Sequence, residues 1–152
     1  MRIFHNTFSF SKETDEKLRW IRDVDDVAFK IYITKDRVPD PVPNNIEASV
    51  FDSKLLYTVL LKRIGRMNVG ELNDFDKYDL QQVGVVDEYL HNAGNDAIFG
   101  AVCISQKKHT KTVRYDAYHD SPKLEFGDPY IPKSILRHPY PERLLFLIRW
   151  IK

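Results

Sequence analysis

Lys107, Lys108, His109, Lys111 and Arg114 place five basic or potentially basic side chains within eight positions, a density suited to contact with phosphate groups. They surround a polar tip between two β-type runs, Ala97 to Ser105 and Thr110 to His119, so the chain should present them on a hairpin. On a strand, Lys111 and Arg114 differ by an odd number of positions and face opposite sides, so only part of the run can meet one ligand. Tyr115 follows directly. Single-stranded RNA or DNA is commonly held by bases stacked on an aromatic ring beside a cationic track. Lys35 and Lys133 occupy matching places in an internal repeat and would add a symmetric pair of cations. The competing explanation for all these lysines is ordinary solvation of turns and sheet ends.

A second constellation is acidic. In the run 116–120, Asp116, Tyr118 and Asp120 fall on one strand face and His119 on the other, with Glu125 and Asp128 a loop away. A nucleotide- or nucleic-acid-processing hydrolase would use Asp116, His119, Asp120 or Glu125 in acid-base or metal roles, although their spacing matches no strong ligand rule. Asp74, Asp76 and Asp79 lack the glycine and closing glutamate of a calcium loop and fit the acidic start of a helix. There is no glycine-rich phosphate loop, G-x-S-x-G, H-E-x-x-H or C-x-x-C. No metal or other cofactor is therefore expected, and whether the chain is an enzyme stays open. A third reading is a protein-interaction module, in which Pro39, Pro41 and Pro43, with Pro139 and Pro141, stiffen extended surfaces for a partner.

The elements that must carry these residues fit in one domain, since the chain has 152 residues. Hydrophobic residues make up 43% and charged residues 30%, which excludes collagen-like and wholly disordered chains. The net charge is +1, so any surface for nucleic acid must be local rather than a global field. The longest mainly apolar stretch, Leu55 to Leu61, is far shorter than the roughly 20 residues a membrane helix needs. No membrane partner and a cytoplasmic location are expected, in keeping with a single cysteine, Cys103, set in an apolar run.

Ser11 to Arg22 opens on a capping serine, with acids early and bases late, and is predicted to be a short helix. Strands are predicted over Ala28 to Thr34, Ile46 to Phe51 and Leu55 to Ile64, and a helical insert near residues 73 to 92. At an offset of 98, Tyr32-Ile33-Thr34-Lys35 matches Tyr130-Ile131-Pro132-Lys133, and Pro41 and Pro43 match Pro139 and Pro141. Val38 with Leu136, Ile46 with Leu144 and Val50 with Ile148 keep apolar character. That spacing is too long for a solenoid repeat and points to two copies of a strand, proline connection and strand. The expected fold is α+β: a small pseudo-symmetric β-barrel with an N-terminal helix and a helical insert.

The stretch from Tyr57 through Lys62-Arg63-Ile64-Gly65, Val69-Gly70-Glu71-Leu72 and Asp74 to Asp76, continued by Val86-Asp87-Glu88-Tyr89-Leu90, resembles the segment of ASCH and related PUA-like domains where a barrel strand enters a short acidic helical insert. The resemblance covers about a quarter of the chain. It implies a small barrel that binds or processes RNA or modified nucleosides, and it assigns no catalytic residue. Together these readings favour a nucleic-acid-binding module, with RNA or single-stranded DNA as partner, and leave a protein partner open.

Overall fold

Period-two alternation of burial is clearest over residues 28–34, where Phe29, Ile31 and Ile33 are buried and their neighbours are not. The computed structural model describes residues 2–52, 97–117 and 128–151. Within them run β1 (Arg2–Glu13), β2 (Lys17–Val24), β3 (Val27–Thr34), β4 (Asn45–Phe51), β5 (Ala97–Lys108), β6 (Thr112–Ala117), β7 (Tyr130–Pro132) and β8 (Arg143–Ile151). Two single-turn 3-10 helices, η1 (Lys35–Arg37) and η2 (Lys133–Ile135), follow β3 and β7. All strand pairs are antiparallel, and the eight strands form one sheet curled into a half-barrel.

The α+β expectation is corrected: the described residues are mostly β, with no helix of seven residues or more. The predicted N-terminal helix, Ser11 to Arg22, is the end of β1, a turn and most of β2. Leu18 and Trp20 point inward and are buried, while Lys17, Arg19 and Ile21 between them are not, a period of two rather than 3.6. Thr14 closes the turn: its backbone N–H and its hydroxyl both donate to the Lys17 carbonyl, at 2.8 and 2.9 Å. The charge gradient that looked like dipole matching is thus spread over two strands. Asp25 and Asp26 form the next turn with φ of 48° and 64°, left-handed geometry that aspartate tolerates and that matches the twist of a tight hairpin. The predicted helical insert at 73–92 and the strand at 55–64 lie outside the described residues, as does the whole stretch that resembles PUA-like domains.

The strand order, β3-β2-β1-β4-β8-β5-β6-β7, is the same on both sides of its centre when β1 to β4 are matched with β5 to β8. Register places the centre at one residue pair. Ser49 lies opposite Leu147, its own equivalent at the 98-residue offset, and the flanking pairs Ala48 with Ile148 and Val50 with Phe146 exchange under the same offset. A pseudo-two-fold axis therefore passes through the Ser49–Leu147 pair. The same offset relates η1 to η2 and the cis bond Asp40–Pro41 to the cis bond His138–Pro139. The two-fold relation also matches two long-range locks, with Pro43 and Pro141 related by the same offset and Trp20 and Tyr115 by strand register, three residues beyond the equivalent residues Lys17 and Thr112. The Trp20 indole N–H donates to the Pro43 carbonyl at 3.0 Å, and the Tyr115 hydroxyl donates to the Pro141 carbonyl at 2.6 Å. Each lock ties the middle of a strand to a proline connection that has few backbone donors of its own.

The concave face holds the core, including Phe8, Trp20, Phe29, Ile46, Tyr115, Phe146 and Trp150. Phe4, Phe8 and Phe29 meet with ring centroids 5.1 to 6.1 Å apart, and Trp20 and Trp150 at 5.9 Å, separations at which tilted and edge-to-face rings attract. In β8, Leu145 and Leu147 are buried as well as the core residues Leu144, Phe146 and Ile148, which is why this strand reads as an unbroken apolar run. Among the described residues no helix is long and apolar enough to cross a membrane.

The two locks predict matched costs. Tyr115→Phe keeps the buried ring and strands one carbonyl, so it should lower unfolding free energy by about 1 kcal/mol. Trp20→Phe should cost more, because it also removes ring volume from the core. Urea denaturation followed by circular dichroism checks both, and an unchanged midpoint for Tyr115→Phe would show that the lock contributes nothing.

Candidate functional site

The half-barrel leaves two sheet edges, β3 and β7, and curling brings them together on the side opposite the β4–β8 junction. Their Cα atoms come within 8 Å, yet no ladder joins them among the described residues. A cleft of about 600 Å³ lies along this seam. Ile31 and Phe146 supply its apolar lining, and Lys17, Lys30, Tyr32, Thr112, Asp128 and Tyr130 its polar and aromatic sides. The volume falls within the usual range for small-ligand sites, and the mix of apolar floor and few polar groups is typical of them.

Alternation sets the walls. In β3, Phe29, Ile31 and Ile33 are buried, so Ala28, Lys30 and Tyr32 face outward. In β7, Ile131 is buried and Tyr130 faces outward, 45% exposed and the most exposed of the large hydrophobic side chains described. Tyr32 and Tyr130 are repeat equivalents, and each lies opposite an arginine on the next strand, Arg19 and Arg114. The Arg19 guanidinium carbon is 6.0 Å from the Tyr32 ring centre, at the outer limit of a cation-π contact. The His109 ring meets Tyr130 edge-on at 5.0 Å, which extends the exposed aromatic surface toward the β5–β6 turn.

The seven residues expected to bind nucleic acid divide. Lys107 and Lys108 are the last two residues of β5, and Lys111 is exposed in the turn that follows. Lys133 is drawn to the same turn, its N–H donating to the Lys111 carbonyl at 3.0 Å. Lys35 sits at the equivalent place against Glu16, at the opposite end of the sheet by the two-fold relation, and its ammonium pairs with Glu13 at 2.9 Å. So Lys35 does not join the other cations.

Arg114 and Tyr115 have other occupations. Arg114 Nε lies 3.0 Å from Asp116 and Nη2 lies 3.2 Å from Asp128. Desolvation works against its charge, but the two carboxylates outweigh that and hold the guanidinium above its ordinary pKa. Tyr115 is fully buried, so its ring cannot stack on a base. The aromatic position next to the cations is Tyr130 instead. A strand of only three residues ending in proline gave little pattern to find it by, whereas its match with Tyr32 in the repeat was visible.

Of the acidic constellation, Asp116 is occupied by Arg114, and His119, Asp120 and Glu125 lie outside the described residues. Among the described residues no group of three or more His, Cys, Asp or Glu side chains is placed to hold a metal ion. One cluster escaped sequence reasoning because it joins distant strands. His5 Nδ1 is 2.6 Å from Ser49 Oγ, and His5 Nε2 is 3.6 Å from Glu47. The residue types are those of a hydrolytic triad, but Ser49 is only 3% exposed and lies mid-strand, between β1 and β8, where backbone N–H groups are used in ladders rather than for an oxyanion. The cluster is a polar pin across the β1–β4 pair.

No family model matches this chain, and no curated protein does so either.

Burial, followed by the nearby Asp52 and Tyr140, pushes the Tyr115 hydroxyl well above the ordinary tyrosine value of 10.0. The folded state therefore holds this proton more tightly than the unfolded state does. Its contribution to stability should be intact below pH 10.0 and decline as the pH rises further, because the unfolded chain ionises first. In thermal melts across that alkaline range, Tyr115→Phe should show a shallower decline than the unmodified protein; parallel declines would contradict this role.

Proposed function

We propose that this chain is a nucleic-acid-binding module for a single strand, RNA in the first instance, that crosses the β5–β6 turn and lies along β7. One observation carries the reading: Tyr130 holds a large outward ring, 45% exposed, at the meeting of a cationic turn and a cleft whose other wall bears Lys17 and Lys30. A base stacks on an exposed ring with little sequence preference, and lysines beside it neutralise the phosphates on either side. Lys111 and Lys133 supply the cations at the turn. Lys107 and Lys108 are the residues of β5 that lead into this turn. Arg114 has a positioning role here, steadied by Asp116 and Asp128 on the strand that pairs with Tyr130.

Fluorescence anisotropy with labelled ten-nucleotide oligo(U) and oligo(dT) tests the proposal. Affinity should fall with rising salt, and Lys111→Ala should reduce the slope by about 0.7, the value for one phosphate contact on a single strand. Tyr130→Ala should weaken binding roughly tenfold at every salt concentration, as loss of one stacked base predicts, while Tyr130→Phe should bind normally. No binding of either oligonucleotide at low salt would overturn the reading.

A further inference from the structure

The pseudo-two-fold axis that enters at the Ser49–Leu147 pair leaves the molecule on the opposite side, where β3 and β7 meet, so the seam cleft is built from repeat-related walls. Some lining positions keep their character across the axis: Tyr32 and Tyr130 are identical in type, and Ile31 corresponds to Pro129. Others break the symmetry in charge. Lys30 corresponds to Asp128 at the 98-residue offset, and all six of these positions line the cleft. Lys17 and Thr112 are likewise equivalent, since they pair with the equivalent residues Thr34 and Pro132. One wall is therefore cationic and the other neutral to acidic, while both offer an aromatic ring.

The cationic wall is accessible. Lys30 is exposed, Lys17 is half-buried, and among the described residues neither ammonium has a carboxylate within 4.0 Å. An anion entering the seam is drawn to β2 and β3 and repelled from Asp128. The aromatic surface left for the remainder of the ligand is Tyr130.

We infer that the seam cleft takes one nucleotide in a single polarity, its phosphate against Lys17 and Lys30 and its base against Tyr130. This rests on the nucleic-acid reading and deepens it, by assigning a nucleotide subsite that the turn lysines do not form. The two-fold geometry supplies two alike halves of a pocket, and the exchange of Lys for Thr and Asp decides which half receives the charge.

The test makes the two walls alike. Lys17→Thr with Lys30→Asp copies the second wall onto the first, and calorimetric titration with uridine 5′-monophosphate, uridine and inorganic phosphate reads the site directly. The nucleotide should bind the unmodified protein more tightly than either uridine or phosphate alone, and the double variant should bind it at least ten times more weakly, with uridine unaffected. Lys30→Gln, at an exposed position, should cut the salt slope for oligo(U) by about 0.7. Phosphate binding as tightly as the nucleotide would overturn the inference, since the cleft would then be an anion site without base contact. An unchanged salt slope in Lys30→Gln would also overturn it, while a loss in Lys111→Ala or Tyr130→Ala would leave the general nucleic-acid reading standing. Failure of the unmodified protein to bind any oligonucleotide would remove both.

Discussion

The ladder between β4 and β8 makes two half-sheets into one. Its register, centred on Ser49 opposite Leu147, sets every other relation in the molecule: strand order outward from it, the direction of curl, and the distance at which the last strands meet again. A slip of one residue in β4 would turn Ile46, Ala48 and Val50 away from the core, and one in β8 would do the same to Leu144, Phe146 and Ile148. The two edges would then lose their common floor at Phe146. Burial on both faces of β8 makes such a slip costly in either direction.

The symmetry also explains why the molecule has a cleft where it does. Two equal half-sheets joined at one side can curl until their free edges approach, but closure needs a ladder, and β7 is only three residues long and ends in proline, which has no N–H to offer. An open seam lined by outward side chains remains. Each unit contributes a tyrosine backed by an arginine, and the two units differ in placing lysines on one wall and an aspartate tied to Arg114 on the other. The chemistry of the cleft is thus the difference between two halves whose folds agree.

Much of this was legible in the residues, and the failures have physical causes. The proline-braced repeat was visible because its marker residues constrain backbone locally: Pro41 and Pro43 in one connection match Pro139 and Pro141 in the other, 98 residues on, and each connection opens with the same single-turn helix. The run 11–22 misled because capping serine, early acids and late bases are end effects worth tenths of a kcal/mol to about 1 kcal/mol. Alternating burial of Leu18 and Trp20 against a neighbouring strand outweighs them. Tyr115 looked like a stacking ring because it follows a cationic run, yet an odd step along the strand from Arg114 turns it into the core.

Residue order alone determined the strand content of β3, β4 and β8, the duplicated connection and the gathering of cations at the β5–β6 turn, because each depends on neighbours within a few positions. Which ring faces solvent beside those cations, which arginine is committed to carboxylates, and that Lys17 and Lys30 share a cleft with Tyr130 were decided only when distant strands were brought edge to edge. Burial and pairing are properties of that assembly: they follow from what lies across a ladder or a seam, and no stretch of chain contains its own partner.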